Sequence, residues 1–270
     1  MGANGTHIDS KATIHPKARL DEGVRIGPNS FIGPGVSIGK NTRIEANVFI
    51  EGPTDIGEEN RFFPFSVIGT EPQDIFYKGE DTRLKIGNRN IFREFVTVNR
   101  GSPKGGGQTV VGSDNYFMIS SHIAHDCHVG DEVIFMNSVG LAGHVFIDDF
   151  VTISAFTGIH QFCRVGKHSF IGAYSALSQD VLPYIRVAGS RPTRFYGINA
   201  VGLRRRGFKR DKINTLKKFI HIIFFSDLNT TQAVERIEKE FPPTEEREEI
   251  LTFIKESQRG LIKKFGDKWE

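Results

Sequence analysis

The chain has 270 residues, 25% of them charged, and a formal net charge of only +3. That balance argues against a nucleic-acid partner held by the global field, and the length allows one large domain or two modest ones. The longest apolar stretch, Phe219 to Phe225, is far too short to span a membrane. At the N-terminus, MGANGTHIDS lacks a basic flank followed by an apolar run, so it does not read as a secretory signal. Two cysteines and no such signal point to the reducing cytoplasm.

A six-residue period begins at Ile8. Eleven consecutive sixth positions, from Ile8 through Ile26, Ile44 and Phe62 to Ile68, are apolar. The phase returns at Ile86, Phe92 and Val98, and again at Val111, from which twelve more anchors run without a miss to Leu177. Four residues after many anchors the slot is small or β-branched, as at Ala12, Ala18, Ser30, Thr42, Ser121, Cys127 and Val145. Glycine often follows the anchor directly, as at Gly27, Gly39, Gly57, Gly112 and Gly130, where it is expected to supply a turn conformation that a Cβ resists. A period of six suits neither a helix nor a long strand. It suits short strands joined by tight corners, three to a coil of 18 residues, stacked as a parallel β-helix. Cys127 and Cys163 fill equivalent slots two coils apart, roughly 10 Å at about 4.8 Å per coil, beyond disulfide reach.

Two segments interrupt the coil. One, GTEPQDIFYKGEDTR, gives a loop over 70–85; the other, RGSPKGGGQT, gives a loop over 100–109. Loops carried by a rigid solenoid commonly hold function. The repeat ends near Val181, so residues 1–190 are assigned to the β-helix and 191–270 to an α-helical C-terminal domain. Within the latter, Ile213, Leu216, Phe219, Ile220 and Ile223 form one helical face. Thr230 is expected to cap a second helix. Thr244 is expected to start a last one running through Leu261. These helices are expected to cover the open end of the coil.

Five histidines fall in the later coils: His122, His125, His128, His144 and His160. None occupies an anchor or corner slot. Steps of 18 from His125 reach Gly143 and then Gln161, with His144 and His160 each one residue off that column. His125 is the side chain matched to removing a proton from a hydroxyl at neutral pH. Asp126 follows it and could fix its tautomer, and the Gly143 N–H, unshielded by a side chain, could face an oxyanion.

The runs SSHIAHDCHVG, LAGH (141–144) and IHQFC (159–163) resemble the UDP-N-acetylglucosamine acyltransferase family. So do PQD (72–74), RGSPKGGGQTVVGSDN, QDVLPY (179–184) and GLRRRGF (202–208), and the likeness covers almost the whole chain. The wider resemblance is to hexapeptide-repeat acyltransferases, which implies a mainly β protein, a left-handed parallel β-helix with a C-terminal α-helical domain. It implies transfer of a 3-hydroxyacyl group from acyl carrier protein to the 3-hydroxyl of UDP-N-acetylglucosamine, the first step of lipid A biosynthesis. It further implies a cytoplasmic homotrimer with sites between subunits and no metal or dissociable cofactor. By resemblance, His125 is the general base supported by Asp126, and the Gly143 N–H is the oxyanion donor. His122, His144 and His160 line the cleft, and Gln73 and Asp74 contact the sugar from a neighbouring subunit. Gln161, Asn199 and Arg205 bind the nucleotide end.

Several positions depart from the family pattern. Phe76 stands where many relatives carry lysine, Val201 replaces an acidic residue, and one extra residue lies around Arg191 to Tyr196. Ala173 stands where glycine lets a long acyl chain pass, and with Phe170 nearby it suggests a shorter chain. The basic run from Arg204, Arg205 and Arg206 to Lys209, Arg210 and Lys212 could face the acidic carrier protein, or be a solvated helix end. Three other readings are weighed beside this one. A relative acylating a UDP-3-amino sugar would carry nearly the same motifs. A zinc hydratase of the γ-carbonic-anhydrase kind needs three histidines round an open metal, and the spacing of His122 and His125 is not that family's. A non-catalytic scaffold leaves the polar strip without a purpose.

Overall fold

The protein is described by a computed structural model covering residues 5–263; the outermost ends of both expected domains, 1–4 and 264–270, lie outside the described residues. Short parallel strands, most of two residues, follow one another round three sheets of eleven, nine and eight strands. The first sheet begins with His7–Ile8, the second with Thr13–Ile14 and the third with Arg19–Leu20, and the order then repeats. The cross-section is a triangle, with three faces and three corners. The register advances by 18 residues per coil, as in Arg25↔Arg43 and Arg43↔Arg61.

The anchors fill the interior. From Ile26 onward every one is at most 5% exposed, and Phe62, Phe92, Phe117 and Phe135 form a continuous aromatic stack with ring centroids 4.7–5.1 Å apart. Ile8, on the first coil with no coil beneath it, is 43% exposed. A second column runs beside the stack. Asn90 Nδ2 donates to Asn60 Oδ1 (3.0 Å), the Asn115 N–H donates to Asn90 Oδ1 (3.0 Å), and each amide nitrogen also reaches a backbone carbonyl of the next coil. These buried amides replace the small residues elsewhere in that slot, and their polarity is met bond for bond.

The glycines that follow the anchors do not serve as the sequence reading expects. Gly39 and Gly57 are not at positive φ. A Cβ on Gly39 would lie 2.7 Å from the Gly57 carbonyl carbon, and one on Gly57 would lie 2.6 Å from the Gly87 carbonyl oxygen. They are required by the close approach of stacked backbones. The left-handed corner positions are instead held by residues such as Asn47, Phe65, Asp126, His144, Phe150 and Phe162.

Both insertions are shorter than expected, because strands run into them: Val67–Thr70 and Arg83–Ile86 bound the first, and Gln108–Val111 follows the second. Both leave the same corner, between the second and third sheets, in consecutive coils. Buried Arg100 ties them together, donating to the Gly69 carbonyl (3.0 Å) and the Tyr77 hydroxyl (3.3 Å).

After the last regular coil the chain departs from the helical assignment of 191–270. Arg194–Ile198 is a strand, paired antiparallel with Ile185–Ala188 on the first sheet. Its alternation was hidden by the neighbouring Pro192 and Gly197. Four helices follow: α1 (Ala200–Arg205), α2 (Arg210–Phe225), α3 (Thr230–Glu240) and α4 (Glu245–Glu256). The cap of α3 is Asn229, not Thr230: its side chain accepts from the Gln232 N–H while Gln232 reaches back to the Asn229 N–H, a reciprocal capping box. Thr244 caps α4 as expected. That helix stops at Glu256, and Leu261 instead bridges to Asp180 at the edge of the coil. Asp180, wholly buried, accepts from the Arg164 N–H and the Ser257 hydroxyl (2.8 and 2.6 Å), so the last described segment closes over the top coil.

Candidate active site

The corner that carries both insertions also carries the histidines. His125–Asp126 lie between the strands His122–Ile123 and His128–Val129, Gly143–His144 one coil above, and His160–Gln161 one coil higher still. The register pairs His122 with Gly140 and Gly140 with Gly158, so His125, Gly143 and Gln161 share a column, as the arithmetic of 18 requires.

Asp126 is the most constrained side chain there, only 1% exposed. Its Oδ2 lies 2.7 Å from His125 Nδ1 and its backbone N–H donates to Thr109 Oγ1 (2.8 Å). Ser102, from the second insertion, donates its N–H to Oδ1 (2.7 Å) and its hydroxyl to Oδ2 (2.6 Å). Burial pushes the Asp126 carboxyl upward, but the bonds from His125 and Ser102, with His144 nearby, outweigh it and hold the group below its ordinary value. An ionised carboxylate only accepts. It therefore places the His125 proton on Nδ1 and leaves Nε2 free to take one.

Gly143 packs directly on that ring. A Cβ there would sit 2.6 Å from His125 Cε1 and 2.8 Å from Nε2. Among the described residues no acceptor meets the Gly143 N–H. A base and an unengaged donor thus stand side by side, the pair that proton removal and oxyanion stabilisation call for.

The remaining histidines surround this pair. His122 Nδ1 is 2.7 Å from Thr97 Oγ1, and burial lowers its pKa. His144 Nε2 lies 3.6 Å from Asp126 Oδ2, its ring stacks on Phe162 at 4.5 Å, and burial lowers its pKa despite the pull of Asp126 and Asp74. His160 is exposed, with Nδ1 3.3 Å from Arg259 Nη2 of the segment after α4. Gln161 and Gln73 are exposed and Asp74 is half-buried, its Oδ1 accepting from the Phe76 N–H (2.9 Å). Phe76, 64% exposed, carries Lys104 of the second insertion over its ring at 4.6 Å.

Asn199, Arg205 and Phe170 are elsewhere. They line a cleft of about 800 Å³ on the outer face of the first sheet, with Ile134, Thr152 and Arg186 on its strands and α1 as one wall. Its lining contains no carboxylate and three arginines. Asn199 is largely committed: Oδ1 caps α1 by accepting from the Gly202 N–H, and Nδ2 donates to the His168 carbonyl (2.9 Å). Val201 lines the cleft, while Ala173 is an exposed corner residue outside its lining. Of the basic run, Arg206 pairs with Glu132 and Lys212 with the buried Glu246, so these two are held within the fold. In a triangular coil, the second-to-third corner lies opposite the first face. One chain therefore carries the histidine corner and the arginine-lined cleft on opposite sides.

Sequence reasoning missed Ser102, Thr97, Thr109, Gly105 and Arg259. An insertion breaks the period, so counting coils cannot place Ser102 against Asp126. Of the described residues, His125, Asp126 and His144 bring ligand-type atoms within 4.8 Å of one another. A metal there would have to displace the His125 and Ser102 bonds that already occupy the Asp126 carboxylate.

Comparison with known proteins places this geometry. A family model described as UDP-N-acetylglucosamine O-acyltransferase, domain 2, matches residues 180–262, and one for the bacterial transferase hexapeptide (six repeats) matches residues 5–40. An acyl-[acyl-carrier-protein]–UDP-N-acetylglucosamine O-acyltransferase of Stenotrophomonas maltophilia is 42% identical over 263 residues, covering 97% of this chain and all of that one. Its namesake from Thermodesulfovibrio yellowstonii is 46% identical over 256 residues, 95% of this chain and 99% of the other. The solved UDP-N-acetylglucosamine acyltransferase of Bacteroides fragilis is 43% identical and superposes with a TM-score of 0.91, covering 94% of this chain and 99% of its own. The coil is accordingly a left-handed β-helix. By sequence and by fold, the chain belongs to the UDP-N-acetylglucosamine O-acyltransferase family.

Proposed function

We propose that this protein transfers a 3-hydroxyacyl group from acyl carrier protein to the 3-hydroxyl of UDP-N-acetylglucosamine, the opening step of lipid A synthesis, in the cytoplasm. Family membership supports the reaction. The single observation that carries the mechanism is the His125–Asp126 dyad beneath Gly143. His125 Nε2 takes the proton of the sugar hydroxyl as its oxygen attacks the thioester carbonyl. Asp126 stabilises the imidazolium that results, and the Gly143 N–H faces the oxyanion of the tetrahedral intermediate. Collapse expels the carrier thiolate, which recovers the proton from His125. Two free, buried thiols, Cys127 and Cys163, suit a reducing compartment, and no helix of the described residues is long and apolar enough to cross a membrane.

The opposed half-sites favour assembly. When the corner of one copy meets the first face of the next, the dyad approaches the arginine-lined cleft. Such a heterologous contact closes into a ring, here a homotrimer. Exposed aromatics along an adjacent corner, Phe65 stacked on Phe95 and Phe156 on Tyr174, offer apolar surface for it. Arg205 then meets the diphosphate, and Gln161 and Asn199 the rest of the nucleotide. Phe170 in the cleft wall, with Ala173 at the following corner, limits the acyl chain.

His125→Ala is expected to lower transfer by about 10²–10⁴-fold with the oligomer intact; near-normal turnover in a carrier-thioester assay would remove the base assignment. In the same assay, donors of graded length are expected to react faster when short. A maximum at the longest donor would contradict the role of Phe170 and Ala173.

A further inference from the structure

We propose that the second insertion is a clamp on the Asp126 carboxylate, and that Ser102 is a positioning residue for acyl transfer. The inference rests on the function proposed above and names a part of that site that neither the motif nor the coil arithmetic assigns.

Asp126 projects from a corner at φ 59°, where few residues are comfortable. Within the repeat, besides His125, only Thr109 of the coil below holds it, through the backbone N–H. The carboxylate is fixed from outside the repeat. Ser102 grips both oxygens, one through its N–H and one through its hydroxyl, 24 residues back in sequence. The turn Pro103–Gly105 then closes over the same group. A Cβ on Gly105 would lie 2.0 Å from Asp126 Cγ and 2.3 Å from Oδ1, so glycine is needed there for contact alone, its φ being unexceptional. The base of the insertion is itself rigid, through buried Arg100 and the Gly107 N–H, which donates to the Ser102 carbonyl (2.9 Å). The clamp aims Oδ2 at His125 Nδ1, with His144 Nε2 farther off at 3.6 Å.

The Ser102 hydroxyl shares Oδ2 with His125. Removing it leaves the anion less satisfied and freer to turn. A carboxylate free to turn orients the ring less well. The other titratable groups facing the dyad are His122 on its own coil, His144 above and Asp74 on the first insertion. None of them is altered by a change at Ser102.

The test is steady-state kinetics on intact Ser102→Ala, Ser102→Thr and Gly105→Ala proteins. For Ser102→Ala, kcat is expected to fall roughly 10- to 100-fold, the loss that accompanies one hydrogen bond to a charged group. KM should be little changed. Ser102→Thr, which keeps the hydroxyl, is expected to restore kcat. Gly105→Ala crowds the same carboxylate from the other side and is expected to lower kcat with KM retained, an independent reading should Ser102→Ala fold poorly. Unchanged kcat in both alanine variants would overturn the proposal. So would a fall in kcat no greater than the loss of folded protein, or one that Ser102→Thr does not restore. Absence of transfer by the unaltered chain would remove the function itself, and the positioning role with it; normal transfer by both alanine variants would remove the clamp alone.

Discussion

Gly143 has no side chain, and the His125 ring occupies the space one would fill. Because its φ is ordinary, alanine at this position meets no backbone strain; what it meets first is the imidazole, whose three nearest atoms lie at 2.6–3.1 Å. Gly143→Ala is therefore expected to leave the coil folded while displacing Nε2, with kcat down by about 10²-fold or more; full activity with unchanged KM would show that the ring does not need that place. At this scale the dyad was legible in the sequence. A strict 18-residue coil carries His125 to Gly143 and Gln161 by counting. The partners Ser102 and Gly105 were not legible, because their distance from Asp126 is set by an insertion whose path no period describes. Arg259 was hidden for a similar reason, reaching His160 across 99 residues of sequence.

Among elements, the coil was readable from its anchors because each must be apolar to be buried between identical neighbours. What the pattern obscured was the purpose of the smaller positions. The glycines after the anchors answer to backbone contact between coils, and the slot that usually holds a small residue holds asparagine at positions 60, 90 and 115. A repeated polar residue in a core slot is admissible only when stacking pairs each amide with the next, which a sequence period permits but does not state. Beyond the repeat the helices were visible as apolar faces, whereas the strand Arg194–Ile198 was not. It exists because the last coil leaves an edge on the first sheet to be covered. Capping at Asn229 instead of Thr230 is a shift of one residue that the adjacent Asn-Thr-Thr could not decide.

For the molecule as a whole, the triangular section sets the histidine corner and the arginine-lined cleft on opposite sides, so the proposed reaction draws its two parts from different copies. Counting coils could not reveal this, since Asn199 and Arg205 lie beyond the repeat and reach the first face only when α1 packs there. The most direct test combines two defective chains. His125→Ala removes the corner and Arg205→Ala the cleft, and each is expected to be nearly inactive alone. Refolded together in equal amounts, they are expected to recover about a quarter of the unaltered activity, because random closure of a ring pairs an intact corner with an intact cleft in one site of four. A mixture as inactive as its parents, with mixed oligomers demonstrated by mass, would contradict a site shared between copies.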